Sequence, residues 1–161
     1  MVISFEAIAG AAGALEHSGL GYAARSTGWL YPLANLVHVL GAALLVGSIA
    51  TFDIQVLRRA RDVRLVYYAA ISIAITGFLL QILSGTVLLS ADASAVVRNP
   101  AFLFKMAMLV VGVLNVAVFH WYFGSAVKKE EPLPGPARVL AAVSLASWVL
   151  VLFAGRSIAY L

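Results

Sequence analysis

"YPLANLVHVLGAALLVGSIA", Tyr31 to Ala50, is twenty residues with one histidine and no formal charge. A helix needs about 20 apolar residues to cross the hydrocarbon core of a bilayer. This stretch is long enough, and it carries an ionisable side chain, His38, into that core. Three further runs of similar length follow it in the chain. Of the 161 residues, 63% are hydrophobic and 11% charged, where a soluble domain rarely exceeds about half apolar. The pattern predicts an all-α integral membrane protein, a single domain over residues 1–161.

The spans are expected near 29–52, 65–90, 101–123 and 137–160. Trp29 and Tyr31 read as an interfacial aromatic anchor. Asn99 followed by Pro100 reads as a helix start, with Asn capping and Pro at the first helical position. "KKEEPLPGPAR" breaks the chain before the last span. Residues 1–28 suit a short amphipathic helix on the membrane surface, because Phe5, Ile8, Ala12 and Leu15 recur at helical spacing. Glu6, Glu16 and His17 fall elsewhere, and His17 is expected to be solvated. An up-down-up-down four-helix bundle is the economical packing.

The net charge of +4 is distributed as topology is encoded, not as a track for nucleic acid. Arg58, Arg59, Arg61 and Arg64 fill the first loop, and Lys128, Lys129 and Arg138 surround the third. The second has Arg98 alone. The positive-inside rule places the first and third loops in the cytoplasm and both termini outside, which suits a bacterial inner membrane. With no cysteine, disulfides, thiolate metal sites and cysteine nucleophiles are excluded. No Ser-His-Asp set or carboxylate pair shares one depth, so hydrolase chemistry has no seat. A channel lacks its charged ring.

An ionisable group in lipid must face a partner or reach an interface. At ~1.5 Å per residue, His38 lies on the order of 10 Å below the outer surface, with Gln81 and Met108 within about a turn of it. Lys105 and Arg156 lie nearer that surface. Lys105, Met108, Gly112 and Asn115 share one helix face. Ala70, Ala74, Gly77, Gln81 and Ser84 form a stripe of mostly small residues that admits a neighbouring helix or a flat ligand. Asn35, one turn from His38, can take one ring N–H and aim the other nitrogen inward. These residues nominate His38 as a metal ligand, with Asn35, Gln81, Lys105, Met108 and Arg156 around a cofactor. His120 sits roughly 15 Å from His38 along the axis, so the two cannot share one iron. It reads as structural. Asp53 reads as an anchor at the inner interface, paired with Arg58 or Arg59.

Each side chain has a plainer role as well. His38 can simply hydrogen-bond between helices. Lys105 can snorkel, and Met108 can pack.

Through "WLYPLANLVHVLGAALLVGS", "FDIQVLRR" and "NPAFLFKMAMLVVGVLNVAVFH" the chain resembles an uncharacterised family of small bacterial four-helix integral membrane proteins. More distantly, "HVLGAALLVG" paired with "FLFKMAMLVVGVLN" is similar to the CopD copper-resistance membrane domain. A histidine helix with a lysine-led helix also resembles HemJ, a haem b protoporphyrinogen oxidase. In HemJ-like chains the third-helix histidine follows the lysine more closely than His120 follows Lys105, so only His38 and Lys105 carry over.

Three functions stay open. A haem b protein in electron transfer or porphyrin redox chemistry needs an iron-bound histidine, an apolar slot and cations for the propionates. His38, the Gly77–Ser84 face, and Lys105 with Arg156 or Arg25 supply these. Copper handling, as in CopD, wants soft ligands, and Met106 and Met108 point to different faces. A structural or accessory subunit needs no cofactor. The bilayer is a partner in all three, and a redox partner or a second copy of the chain in some.

Overall fold

A computed structural model describes residues 5–60 and 63–160. Arg61 and Asp62 lie outside the described residues. Seven helices follow in order: α1 (Phe5–Glu16), α2 (Gly19–Ser26), α3 (Leu30–Leu57), α4 (Val63–Ala91), α5 (Ala93–Val96), α6 (Pro100–Lys128) and α7 (Gly135–Ser157). The described residues form no strand. Helices α3, α4, α6 and α7 are each long and apolar enough to cross a membrane. The chain is an all-α membrane protein with a helical-bundle core.

The helices outrun the spans expected of them. α3 continues five residues past Phe52 and α6 five past Phe123. Helix continues where backbone groups find no better partner, whatever the hydropathy of the side chains. Asp53 is thereby drawn inside its helix. α7 stops at Ser157, earlier than expected, and the expected single N-terminal helix is two, α1 and α2, broken at Ser18. The Ser18 hydroxyl caps α2 by accepting from the Gly21 N–H at 3.2 Å, as N-cap serines do.

Phe52 and Val56 of α3, Val63 and Tyr67 of α4, Phe119 and Val127 of α6, and Ala137 and Ala141 of α7 form one core cluster. Late residues of α3 and α6 thus meet early residues of α4 and α7, so the four helices alternate in direction. Phe52 meets the Phe119 ring edge-on, with centroids 5.4 Å apart. This end, bearing the arginine-rich connections, is called the basic end below. The opposite, terminal end carries α1, α2, α5 and the end of α7.

Packing is uneven. α3 lies closely along α4 and α7, and α6 along α7, while α4 and α6 barely touch. In lipid the hydrophobic effect does not press helices together, so small residues that let backbones approach decide contact. A Cβ on Gly77 would fall 2.5 Å from the Leu45 backbone nitrogen, and one on Gly41 would fall 3.0 Å from the Gly77 carbonyl oxygen. That glycine pair brings α3 and α4 to backbone contact. Gly112 likewise receives the Trp148 indole, whose Cε2 would lie 3.1 Å from a Cβ there.

α1 and α2 close the terminal end. Ala12 packs with Ala93 and Val97. The Ser94 N–H donates to the Glu16 carboxylate at 2.9 Å, and Arg25 donates to the carbonyls of Ser90 (3.4 Å) and Ala91 (3.2 Å). Arg25 so satisfies orphan carbonyls at the end of α4, where a cation also suits the helix dipole. Asn99 caps α6, accepting from the Ala101 N–H at 2.8 Å, and its amide donates to the Ile158 carbonyl at 3.3 Å. His17 is exposed.

Candidate functional site

His38 lies half-buried on α3 against α4. Its Nδ1 is 3.0 Å from the Ser84 hydroxyl, and that hydroxyl donates its one proton to the Leu80 carbonyl. Ser84 can then only accept from the ring, so Nδ1 carries the hydrogen and Nε2 keeps a free lone pair. Gly85 leaves room for the ring, since a Cβ there would fall 3.1 Å from Cε1. The Gln81 amide donates to the backbone carbonyl of His38 itself, stitching α4 to α3. Asn35, the partner expected for the ring, is exposed on α3; the partner is Ser84, because the ring turns toward α4.

On α6, Lys105 lies against Gly155 of α7, with Nζ 3.5 Å from where a Cβ would stand, and within electrostatic reach of His38. Met108 is half-buried. Arg156 turns away from this group: it donates to the Tyr160 hydroxyl at 2.7 Å and lies 5.2 Å from the ring centroid. His38, Gln81 and Lys105 therefore gather, while Asn35 and Arg156 do not. The two predicted faces hold well, as Ala70, Gly77 and Ser84 on α4 and Gly112 and Asn115 on α6 are all buried.

A cavity enclosed by all four long helices lies elsewhere. About 260 Å³ of space opens between α3, α4, α6 and α7, where α4 and α6 stand apart. It borders none of the six residues nominated from the sequence. Ala70 and Ala74 leave the volume; Phe78, Val113, Val116 and Trp148 enclose it. Asp53, His120, Ser144, Asn115 and Trp148 also line it. Asp53 is 4%, Ser144 3% and Trp148 2% exposed.

Four polar atoms along this wall have no hydrogen-bond partner among the described residues: Asp53 Oδ2, His120 Nε2, Ser144 Oγ and Trp148 Nε1. The exception is a looser contact between the Asp53 carboxyl and the Ser144 side chain, which lie close enough to interact as acceptor and donor. Contrary to the anchoring role read from the sequence, Asp53 pairs with neither Arg58 nor Arg59; the one ion pair among the described residues joins Arg64 to Glu130 at 3.0 Å. His120 is fixed at its other nitrogen, Nδ1 lying 2.7 Å from the Val116 carbonyl. A carbonyl only accepts, so Nδ1 holds the hydrogen and Nε2 is a bare acceptor. Its ring lies 5.5 Å from that of Tyr67.

Sequence reasoning missed this group because it measured depth from the terminal end. Measured from the basic end at ~1.5 Å per residue, Asp53 lies ~6 Å in, and His120 and Ser144 ~12–14 Å in. That ruler would have put them within about two turns of one another.

A buried, unpaired polar group costs on the order of 1–3 kcal/mol, and more in hydrocarbon. Among the described residues no three His, Asp or Glu side chains cluster as a metal site would need.

Compared with protein-family models, curated proteins and solved structures, the chain matches none.

Proposed function

We propose that this membrane protein works through the cavity between α4 and α6, by binding a small lipid-soluble molecule that reaches it sideways from the bilayer. The single observation that carries this reading is an almost wholly apolar cavity of about 260 Å³ between two long helices that scarcely touch. Ile75 and Leu79, 56% and 54% exposed, line the same cavity, so its mouth meets the surface that faces lipid. The test uses the Trp29→Phe/Trp121→Phe protein in detergent micelles, whose one remaining indole N–H resonance belongs to Trp148. Toluene should shift that resonance saturably. Ala74→Phe, which fills the cavity, should abolish the shift. A linear response, equal in both proteins, would show mere partition into the micelle and sink the reading.

A second reading is favoured by His38. Its Nδ1–H is held by Ser84 and its Nε2 is free, as in imidazoles poised to bind a metal, and Lys105 stands near as a cation. In that reading His38 holds haem b, with Lys105 on a propionate and an electron partner outside the chain. Haem would supply one-electron chemistry. Protein purified from haem-replete cells should then show a Soret band that His38→Ala removes and His120→Ala leaves. Absence of the band in the unaltered protein ends this reading.

For either reading the basic end is assigned to the cytoplasm of a bacterial inner membrane, on the arginine bias between the helices. The chain has no native cysteine, so Glu130→Cys and Asp92→Cys each give one label site. Asp92→Cys should label from outside intact cells and Glu130→Cys should not. The reverse pattern would invert the topology.

A further inference from the structure

We infer that the α4–α6 cavity seats one acyl chain of an anionic phospholipid from the leaflet at the basic end, whose head stays at the surface beside the cations there. This inference rests on the cavity being the functional site, as proposed above, and names what enters it. The walls come first. The cavity surface is almost wholly apolar, so it offers a polar head no hydrogen bond, and a charged head would enter at a cost that excludes it. Water gains nothing there either, since it needs several polar partners. What enters is hydrocarbon. Left empty, the space forfeits the dispersion contacts of its lining, and the medium at its mouth is lipid.

Depth and shape come next. On α4 the lining runs from Tyr67 to Leu79, from ~6 to ~24 Å below the basic end at ~1.5 Å per residue. On α3 it runs from Asp53 to Leu45, from ~6 to ~18 Å down. About 260 Å³ spread over that depth is long and narrow, the proportions of a chain and not of a ring system. The hydrocarbon core is ~30 Å thick, so the cavity is about as deep as one leaflet, and that leaflet is the one at the basic end. The cleft is closed toward its surface. There the Tyr67 hydroxyl lies 4.0 Å from where a Cβ on Gly124 of α6 would stand, and Arg64 of α4 pairs with Glu130 just beyond α6. Deeper in, Ile75, Leu79 and Val113 border the cavity and also reach the outer surface. A chain turns in sideways below the closure while its head stays outside.

The charge around the closure then selects the head. Arg64 at the start of α4 and Lys128 and Lys129 at the end of α6 are exposed on either side of the cleft. Residues 58–64 and 128–138 together hold seven Lys and Arg against three Asp and Glu. A surface of that sign attracts anionic lipid heads and falls silent toward neutral ones.

The test uses the Trp29→Phe/Trp121→Phe protein, whose one tryptophan is Trp148, in phosphatidylcholine bilayers. Bromine on an acyl chain quenches indole fluorescence at near contact. Trp148 lines the cavity and is 2% exposed, so a chain that touches it is inside the bundle. Brominated phosphatidylglycerol and brominated phosphatidylcholine with the same chains are added in separate series. The phosphatidylglycerol should half-quench Trp148 at a mole fraction about five- to tenfold lower, which corresponds to one or two cations acting on the head. Lys128→Gln/Lys129→Gln should narrow that ratio, and Ala74→Phe, which fills the cavity, should remove the quenching by both lipids. Should Ala74→Phe fail to fold, the ratio in the unsubstituted cavity still decides. Equal potency of the two lipids would overturn the inference. If toluene binds saturably in micelles yet neither lipid quenches Trp148, the inference falls and the cavity reading stands. If toluene fails as well, both fall.

Discussion

Asp53 on α3 and His120 on α6 line one cavity from different helices, and each keeps a polar atom buried behind that lining. Neither can reach water at the helix ends, because each sits within a helix that continues at least another turn toward the basic end.

Asp53→Leu should make the empty protein more stable, by about 1–3 kcal/mol, since an apolar side chain of similar size removes an unpaired buried carboxyl. Thermal unfolding in micelles measures the effect. A loss of stability would mean that the carboxyl is satisfied within the fold.

Two glycines should respond oppositely to alanine. At Gly77 the new Cβ would strike the Leu45 backbone, and backbone cannot yield, so Gly77→Ala should cost about 1–3 kcal/mol by parting α3 from α4. Gly47 has open space around it, and Gly47→Ala should stabilise α3 by up to ~1 kcal/mol through helix propensity. Similar effects at both positions would contradict the close α3–α4 contact.

Arg59 ends α3 with φ of 55°, while the Ala60 N–H reaches back to the Gln55 carbonyl at 3.1 Å. That closure favours glycine at the left-handed position. Arg59→Gly should raise stability by roughly 0.5–1 kcal/mol, visible as a higher unfolding temperature in protein of unchanged orientation. A lower temperature would show that the guanidinium makes a contact worth more than the backbone strain.

Hydrogen bonds from Ser94, its hydroxyl first and its backbone N–H second, hold the Glu16 carboxyl below its ordinary value of 4.5. A depressed value in the fold means the charged form is favoured there, so the contribution is complete above the ordinary carboxylate range. It is lost as pH falls through the depressed value. Hydrogen exchange at the Ser94 amide should be slow and level from neutral pH down to that range, then rise in acid beyond the usual change in intrinsic rate. In Glu16→Gln the acid-specific rise should disappear. A rise that persists would assign the docking of α1 to other contacts.

The number of long helices, their order and the cap at Asn99 follow from local rules that hold whatever the neighbours are. Apolar length sets a span, Pro100 starts a helix, and backbone groups in lipid must pair within their own helix. The faces of α4 and α6 that meet other helices were also legible, because small residues at Gly77, Ser84 and Gly112 recur at helical spacing. Which helix each face meets was not. In lipid an apolar side chain is as much at home outside the bundle as inside, so hydropathy carries no record of pairing order or rotation. Depth brought His38, Gln81 and Met108 to one level with Lys105 and Arg156 nearer the surface, yet Arg156 turns to Tyr160. Only the tertiary packing held α3 against α4 through Gly41 and Gly77, kept α4 from α6, and left the space that Asp53, His120, Ser144 and Trp148 line.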